Sequence, residues 1–274
     1  MRKAFINSLP KSGTHLTAKC LKLMGYSELD HLGSAQVISP SMLSKFRRMA
    51  WYPFSQGYLL GIDTPVEVSK RIVRNRLKKG KPNTFFTAHV GYSTALLDAI
   101  LEHGIAPIVV HRDPRAVLVS FVHYVTKLKE HVLHSEFKDL SEEQKFQYVL
   151  EGHRFKKAYL EPLRTRCLAL DGWLSSDQVL KIRFEDLVGS KGGGTIESQE
   201  QTVSNLCQWL EIPESKSTGV ADELFGPGRH TFRKGQVDSW RNELSDENIK
   251  LLEDKLGDVL QRWGYAGVYN ELEV

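Results

Sequence analysis

The feature that most restricts the fold is a Lys/Ser/Gly/Thr turn near the start of the chain. Residues 4–9 are mainly apolar and predict a strand, residues 14–24 predict a helix, and the turn at residues 11–14 joins them. A strand that feeds a helix through such a turn directs backbone N–H groups and the positive end of the helix at one point, where a phosphate-like anion binds. The same residues also suit an ordinary helix start, with Ser12 or Thr14 as the cap.

The turn is not a Walker A loop. Lys11 precedes the glycine and hydroxyl residues, whereas a Walker A lysine follows a G-x-x-x-x-G spacer. The usual prediction of a Mg²⁺-nucleotide site therefore loses its main support.

A second strand–turn–helix junction lies in the middle of the chain. Residues 105–110 are rich in β-branched side chains and predict a buried strand, and Pro114 suits the first turn of a helix. Arg112 then lies at the carboxyl end of the strand, and Ser120, about two helical turns further on, faces roughly the same side. Together these side chains suit a second phosphate. The alternative is that the charged residues around Pro114 only cap and solvate the helix.

Alternating strand and helix patterns predict the fold class. Such alternation implies an α/β protein with a three-layer, doubly wound sheet, in which mainly parallel strands are flanked by helices. Four segments carry more local expectations. Residues 27–60 lack a clear pattern, a basic helix starts at Thr64 and Pro65 and stops at Gly80, a long helix covers residues 141–161, and Gly192-Gly193-Gly194 forms a flexible loop.

Composition agrees with a single domain, residues 1–274. Of the 274 residues 41% are hydrophobic, which is enough to bury one sizeable core.

Apolar runs are too short to span a membrane and residues 1–25 lack a secretory pattern, so we expect a cytoplasmic protein with no membrane partner. The net charge of +4 gives no reason to expect nucleic acid as a partner, and the basic residues within 70–81 predict a solvated helix face. Three scattered cysteines predict reduced, mostly buried thiols and no metal site.

Three motifs in order resemble those of the cytosolic sulfotransferase family, which uses 3′-phosphoadenosine 5′-phosphosulfate (PAPS). They lie at residues 10–16 (Pro-Lys-Ser-Gly-Thr-His-Leu), 112–120 (Arg-Asp-Pro-Arg-Ala-Val-Leu-Val-Ser) and 232–240 (Phe-Arg-Lys-Gly-Gln-Val-Asp-Ser-Trp). The resemblance implies a P-loop NTPase-like fold in which the first motif binds the 5′-phosphosulfate, the second binds the 3′-phosphate and the third closes over the nucleotide. The implied PAPS-binding residues are Lys11, Ser12, Gly13, Thr14, His15, Leu16, Arg112, Ser120, Phe184, Phe232, Arg233, Lys234 and Gly235.

The resemblance also implies a general base, His89, at the end of the strand predicted for residues 84–90. Open α/β sheets bind ligands at this carboxyl edge, and an imidazole can accept the proton of a hydroxyl or amine near neutral pH. Considered without the family, a lone histidine at a strand end is more often a structural hydrogen-bonding group. Lys11 is the second implied catalytic residue, since it is placed to stabilise charge on the departing phosphate. No metal is required.

Several positions depart from the family pattern, among them His15, Asp238 and Ser239, and the three described next. Leu16 stands where the family has an aromatic residue that stacks on adenine, and Thr87 stands where it often has a lysine, two residues before the histidine. Phe184 replaces a tyrosine that binds the cofactor. It keeps a stacking face but not the phenolic hydrogen bond.

The expected function is transfer of a sulfuryl group from PAPS to a hydroxyl or amine of a small-molecule acceptor. Residues 27–60, 123–138 and 219–230 are expected to shape the acceptor pocket. The aromatic residues that line it, or that pack in the core, are Trp51, Tyr52, Phe54, Tyr58 and Tyr124. Two alternatives stay open: a P-loop-type nucleotide kinase, which would bind ATP with Mg²⁺, and a non-catalytic nucleotide-binding protein. The sequence predicts neither the identity of the acceptor nor the oligomeric state.

Overall fold

A parallel β-sheet forms the centre of the part of the chain that the structure describes. The structure is a computed structural model, and it describes residues 1–32, 57–63, 65–156, 158–226 and 235–266. Within these residues five strands pair in the order β2-β5-β1-β6-β9, and every neighbouring pair is parallel. The strands are β1 (Lys3–Ser8), β2 (Ser27–Leu32), β5 (Thr84–Ala88), β6 (Ile105–His111) and β9 (Leu180–Arg183).

Two short antiparallel hairpins and the helices complete the described fold. The hairpins join β3 (Gly57–Leu60) to β4 (Val66–Ser69) and β7 (His153–Arg154) to β8 (Tyr159–Leu160). The helices are α1 (Thr14–Leu23), α2 (Lys70–Leu77), α3 (Thr94–Glu102), α4 (Pro114–Lys127), α5 (His134–Phe137), α6 (Glu142–Glu151), α7 (Leu163–Leu168), α8 (Asp171–Ser175), α9 (Phe184–Leu187), α10 (Ile196–Leu210), α11 (Val220–Leu224) and α12 (Asp246–Arg262). Single 3₁₀ turns lie at Ser190–Gly192, Glu214–Lys216 and Ser239–Asn242.

Two hydrophobic clusters cover the two faces of the sheet. Successive strand residues point to opposite faces, so Phe5 of β1 packs in one cluster while Ala4 and Ile6 pack in the other. The first cluster includes residues of α3, α4 and α12, and the second includes residues of α1, α10 and α11. Strand β6 is buried at every position because both of its faces are covered. The predicted three-layer α/β fold is confirmed.

The basic helix starts later than the sequence pattern indicated. Val66–Ser69 is a strand paired with Gly57–Leu60, and the helix begins only at Lys70. The β-branched residues Val66 and Val68 favour an extended backbone, and the pairing with β3 satisfies that backbone better than a helix cap would. Strands β2 and β3 also occupy both ends of the stretch that had no clear pattern.

The long helix predicted over residues 141–161 is wrong in its second half. Its start is confirmed, because Ser141 and Gln144 form a reciprocal capping box. The helix ends at Glu151, since Gly152 has φ +81° and the chain then enters the β7–β8 hairpin. A Cβ at Gly152 would lie 2.8 Å from the Leu160 carbonyl oxygen, so the turn requires glycine.

Candidate active site

The first predicted turn is a compact loop between β1 and α1. Lys11 and Gly13 both have positive φ, +74° and +107°, and the Ser12 amide donates to the Leu9 carbonyl at 3.2 Å. A Cβ at Gly13 would lie 2.8 Å from Phe184 Cδ2, so this position accepts only glycine without a shift. The helical hydrogen bonds of α1 start with the Thr17 amide donating to the Gly13 carbonyl, which leaves the N–H groups of the first turn for a ligand.

Two hydroxyl groups of this loop differ in their surroundings. The Thr14 and Ser8 hydroxyls form a 2.5 Å hydrogen bond that ties the start of α1 to the end of β1. The Ser12 side chain is fully buried, and its hydroxyl has no hydrogen-bond partner among the described residues. A buried hydroxyl in that situation fits a loop that gains an anionic partner, because an unsatisfied buried polar group is costly. His15 and Leu16, the next two predicted residues, are exposed and half-buried.

Arg112 connects the first two motifs to the third. Its guanidinium donates to the Lys11 carbonyl at 3.3 Å and to the Gln236 carbonyl at 3.2 Å. The same group lies 4.2 Å from the centre of the Phe184 ring. The structure therefore brings Lys11, Gly13, Arg112, Phe184 and the segment that follows Gly235 to one place, as the motifs predict.

Phe184 sits beneath this cluster. It is 6% exposed, and its ring packs against both Gly13 and the Arg112 guanidinium. The stacking role foreseen for it stays a prediction. The Phe184 ring packs against the β1–α1 loop at Gly13 and orients the Arg112 guanidinium.

The glycine-rich segment at residues 192–194 is packed rather than a free loop. Gly192 is buried, and a Cβ there would lie 2.3 Å from Val188 and 2.9 Å from the Gly235 carbonyl. The Val237 amide donates to the Gly192 carbonyl at 2.8 Å, and the Gln236 side chain donates to the Lys191 carbonyl. The glycines thus permit close approach of the third motif. Phe232, Arg233 and Lys234 of that motif lie outside the described residues.

The second motif contains a buried ionic network that sequence reasoning missed. Arg115 is 1% exposed and binds both oxygens of Asp113, a Glu253 oxygen and the Tyr265 carbonyl. The Tyr265 hydroxyl donates to one Glu185 oxygen at 2.7 Å, and the Asp113 amide donates to the other at 3.1 Å. Asp113 does cap α4, as the simpler interpretation had it. Arg115, however, is not solvated but ties the turn after β6 to Glu253 of α12 and to Tyr265.

Ser120 and Tyr124 lie one turn apart on α4. Both are half-buried, and the Lys11 ammonium lies 4.4 Å from the centre of the Tyr124 ring. This helix therefore passes beside the loop, and the shared phosphate site of Arg112 and Ser120 stays a prediction. Tyr58 is a core residue, because it is 3% exposed and its hydroxyl donates to the Ala95 carbonyl. Trp51, Tyr52 and Phe54 lie outside the described residues.

His89 follows β5 at the carboxyl edge of the sheet, beside the end of β1. Its Nδ1 lies 2.8 Å from the Ser8 carbonyl oxygen, so Nδ1 carries the proton and Nε2 is the basic nitrogen. The pKa of His89 is lowered to about 4, mainly by burial; the hydrogen bond to the Ser8 carbonyl opposes the shift, and the nearby His15 and Lys11 add to it. The imidazole is consequently neutral at pH 7.

The backbone beside His89 is fixed by an asparagine that the sequence pattern did not single out. The Asn7 side chain is fully buried and makes two hydrogen bonds to Val90, donating to its carbonyl at 2.8 Å and accepting from its amide at 2.9 Å. Trp173 donates to the same carbonyl at 3.2 Å. A polar residue inside an apolar strand is the only sequence signal for this anchor.

Thr87 and His31 form a polar pair next to His89. The His31 Nδ1 lies 2.8 Å from the Thr87 hydroxyl, and the His31 and His89 rings meet edge to face with 5.1 Å between their centres.

Two kinds of site are absent from the described residues. No cluster of ligating side chains there could hold a metal ion. No helix in the described ranges is long and apolar enough to cross a membrane.

Comparison with known proteins agrees with this architecture. A family model described as "Sulfotransferase domain" matches residues 1–264. Cytosolic sulfotransferase 17 of Arabidopsis thaliana is 22% identical over 283 residues, covering 95% of this chain and 75% of that protein. The solved structures that share the fold include two that were solved with PAP. A mouse sulfotransferase, SULT7A1, complexed with PAP has a TM-score of 0.56 at 16% identity and covers 95% of this chain and 85% of its own.

The second solved structure is a retinol dehydratase in complex with androsterone and the inactive cofactor PAP. Its TM-score is 0.53 at 15% identity, with 95% of this chain and 82% of that chain covered. Because the family model spans nearly the whole sequence, the chain belongs to the sulfotransferase domain family. The class of enzyme is therefore a sulfotransferase, and the resemblance seen in the three motifs is confirmed.

Proposed function

We propose that this protein transfers a sulfuryl group from PAPS to a hydroxyl or amine of a small-molecule acceptor, with His89 as the general base. The observation that carries the proposal is the double role of Ser8. Its hydroxyl binds Thr14 at the start of α1, and its carbonyl binds Nδ1 of His89. One residue thus joins the anion-binding loop to the candidate base.

The residues present fit a donor that carries phosphate at both ends. The loop offers the Lys11 ammonium, the first-turn amides of α1 and the buried Ser12 hydroxyl to the 5′ end. Arg112, 8% exposed and held by two carbonyls, offers its guanidinium to the 3′-phosphate, with Ser120 on the helix that follows. When bound, PAPS supplies the sulfuryl group and the departing phosphate.

Different residues of the chain accept the proton and stabilise the departing phosphate. His89 accepts the acceptor proton at Nε2, since Nδ1 donates to Ser8. Lys11 and the loop amides stabilise negative charge as it builds on the departing phosphate oxygen. In this proposal the nucleotide is bordered by His15, Leu16, Phe184, Phe232, Arg233, Lys234 and Gly235. We also propose a single domain, a cytoplasmic location and no metal requirement.

The first experiment compares ligands by thermal shift. PAP should raise the melting temperature more than AMP, because only PAP carries the 3′-phosphate that Arg112 would bind. ATP with Mg²⁺ should have little effect. Stabilisation by ATP with Mg²⁺ but not by PAP would instead support a nucleotide kinase.

The second experiment tests transfer itself. The protein is incubated with radiolabelled donor and a panel of phenols, alcohols and amines, and labelled products are separated and counted. Transfer to any acceptor that is absent with His89→Ala supports the proposal. PAP binding without transfer to any acceptor, including those in a metabolite extract, would favour a non-catalytic nucleotide-binding protein.

A further inference from the structure

His31 stands beside the candidate base, although no motif includes it. It lies in β2 at the outer edge of the sheet, directly opposite Thr87 of β5 in the strand register. Directly paired residues of parallel strands point to the same face, and Thr87 and His89 are two residues apart, so all three side chains lie on one face. This placement brings the His31 ring to 5.1 Å from that of His89, centre to centre.

Both ends of His31 are fixed. Its ring nitrogen Nδ1 is hydrogen-bonded to the Thr87 hydroxyl at 2.8 Å. Its backbone amide donates to Asp30, whose other carboxylate oxygen receives a hydrogen bond from Arg76 of α2. The ring is therefore held in one orientation.

We propose that His31 is a positioning residue for His89: held by Thr87, its ring packs against the His89 imidazole and keeps it oriented on the Ser8 carbonyl. The inference rests on the proposed function, because it assigns a purpose to an orientation that matters for proton acceptance at Nε2. Thr87 thus acts as an anchor for a second imidazole.

Several neighbouring groups besides His31 influence the pKa of His89. His15 of α1 and Lys11 of the loop face it and disfavour its protonated form, while the Ser8 carbonyl of β1 favours it. On the β2 side His31 faces it, with the Asp30–Arg76 ion pair behind. Burial is the largest influence on His89, and the His31 ring contributes to that burial from the β2 side. Removing the ring should expose more of the His89 imidazole to water and raise its pKa.

The test uses the free protein and a matched set of variants. His31→Asn keeps a polar atom near the position of Nδ1, so it can still bond Thr87, but it removes the rest of the ring. Thr87→Val removes the anchor, and Thr87→Ser restores the hydroxyl. His103→Asn is the control, because His103 precedes the amino end of β6, whereas His89 follows the carboxyl end of β5. The His89 ring resonances are followed by NMR from about pH 7.5 to about pH 5.5.

In the parent and in His103→Asn, His89 should stay neutral across this range. In His31→Asn its pKa should rise by about one unit or more, because desolvation is relieved. Thr87→Val should move it in the same direction by less, and Thr87→Ser should match the parent. In transfer assays His31→Asn should lower kcat about tenfold with an unchanged KM for the donor.

Unchanged His89 titration in both His31→Asn and Thr87→Val would overturn the inference. If His31→Asn does not fold, the pair Thr87→Val and Thr87→Ser decides, since identical His89 titrations in these two would also overturn it. The NMR result does not depend on sulfuryl transfer. A protein that fails to transfer yet shows the expected shifts refutes the proposed function and leaves the positioning contact in place.

Discussion

Two histidines lie at the carboxyl edge of the central sheet, and their surroundings differ. His89 follows β5 and His111 ends β6, on either side of β1. Burial lowers the pKa of each to about 4. His89 has Nδ1 on the Ser8 carbonyl and lies beside the anion-binding loop. His111 is 8% exposed beneath Trp263 and Tyr265, and its Nδ1 has no partner among the described residues.

A lowered pKa alone does not identify a general base. Both imidazoles are kept neutral, but only His89 has its tautomer set by a hydrogen bond and its neighbours at the proposed donor loop. For His111 the second influence after burial is the positive charge of Arg183, whose guanidinium lies over the Tyr265 ring. We therefore expect the two histidines to affect different measurements, one catalysis and the other stability.

The largest effect should follow from His89→Ala. Without the base, kcat should fall by roughly 10²–10⁴-fold, while the affinity for PAP stays within about threefold of the parent. Steady-state kinetics and calorimetric titration with PAP provide the two measurements. The matched variant His111→Phe should keep nearly the parental kcat. A larger loss of kcat in His111→Phe than in His89→Ala would reverse the assignment.

The second prediction concerns stability against pH. Each histidine has a folded-state pKa of about 4, below the value of about 6.5 in the unfolded chain, so the unfolded chain takes up the proton first. Stability is therefore full above about pH 6.5 and declines as the pH falls toward 4. The contribution of buried His111 is at most on the order of 3 kcal/mol.

Urea denaturation at a series of pH values measures this decline. His111→Phe should flatten the curve between about pH 6.5 and about pH 4, and the part that remains comes from His89 and other groups. An equally steep decline in His111→Phe would show that folding does not lower the pKa of His111.

The third prediction separates the two ends of the donor. Arg112→Ala should weaken PAP binding by about 30-fold, roughly 2 kcal/mol, because a charged hydrogen-bonding pair is lost. Binding of analogues without the 3′-phosphate should change little in comparison. Since Arg112 also holds the Lys11 and Gln236 carbonyls, some loss for both ligands is expected. Equal losses would mean that Arg112 acts only on the loops and not on the phosphate.

How much of the fold and of the candidate site the sequence predicts depends on how far apart in the chain the interacting residues lie. The β1–α1 turn, the β6–α4 junction and the start of α6 were foreseen because apolar runs, Pro114 and the Ser141 cap act locally. The Asn7 contacts to Val90 join residues 83 apart, and the Arg115 bond to the Tyr265 carbonyl joins residues 150 apart. No local pattern encodes such contacts. The strand at residues 66–69 was missed for a related reason, since its partner β3 is needed to outweigh the helix signals.

The smallest predicted effect tests the network around the second motif. Tyr265→Phe removes the hydroxyl that donates to Glu185, whose pKa burial raises and this hydrogen bond lowers. Stability should fall by about 1–2 kcal/mol, because a buried carboxyl loses a partner. PAP affinity should fall only a few-fold, since Glu185 still accepts from the Asp113 amide next to Arg112. Tyr159→Phe, on an exposed tyrosine of β8, is the control and should change neither. Loss of PAP affinity without loss of stability would place Tyr265 at the donor itself rather than behind it.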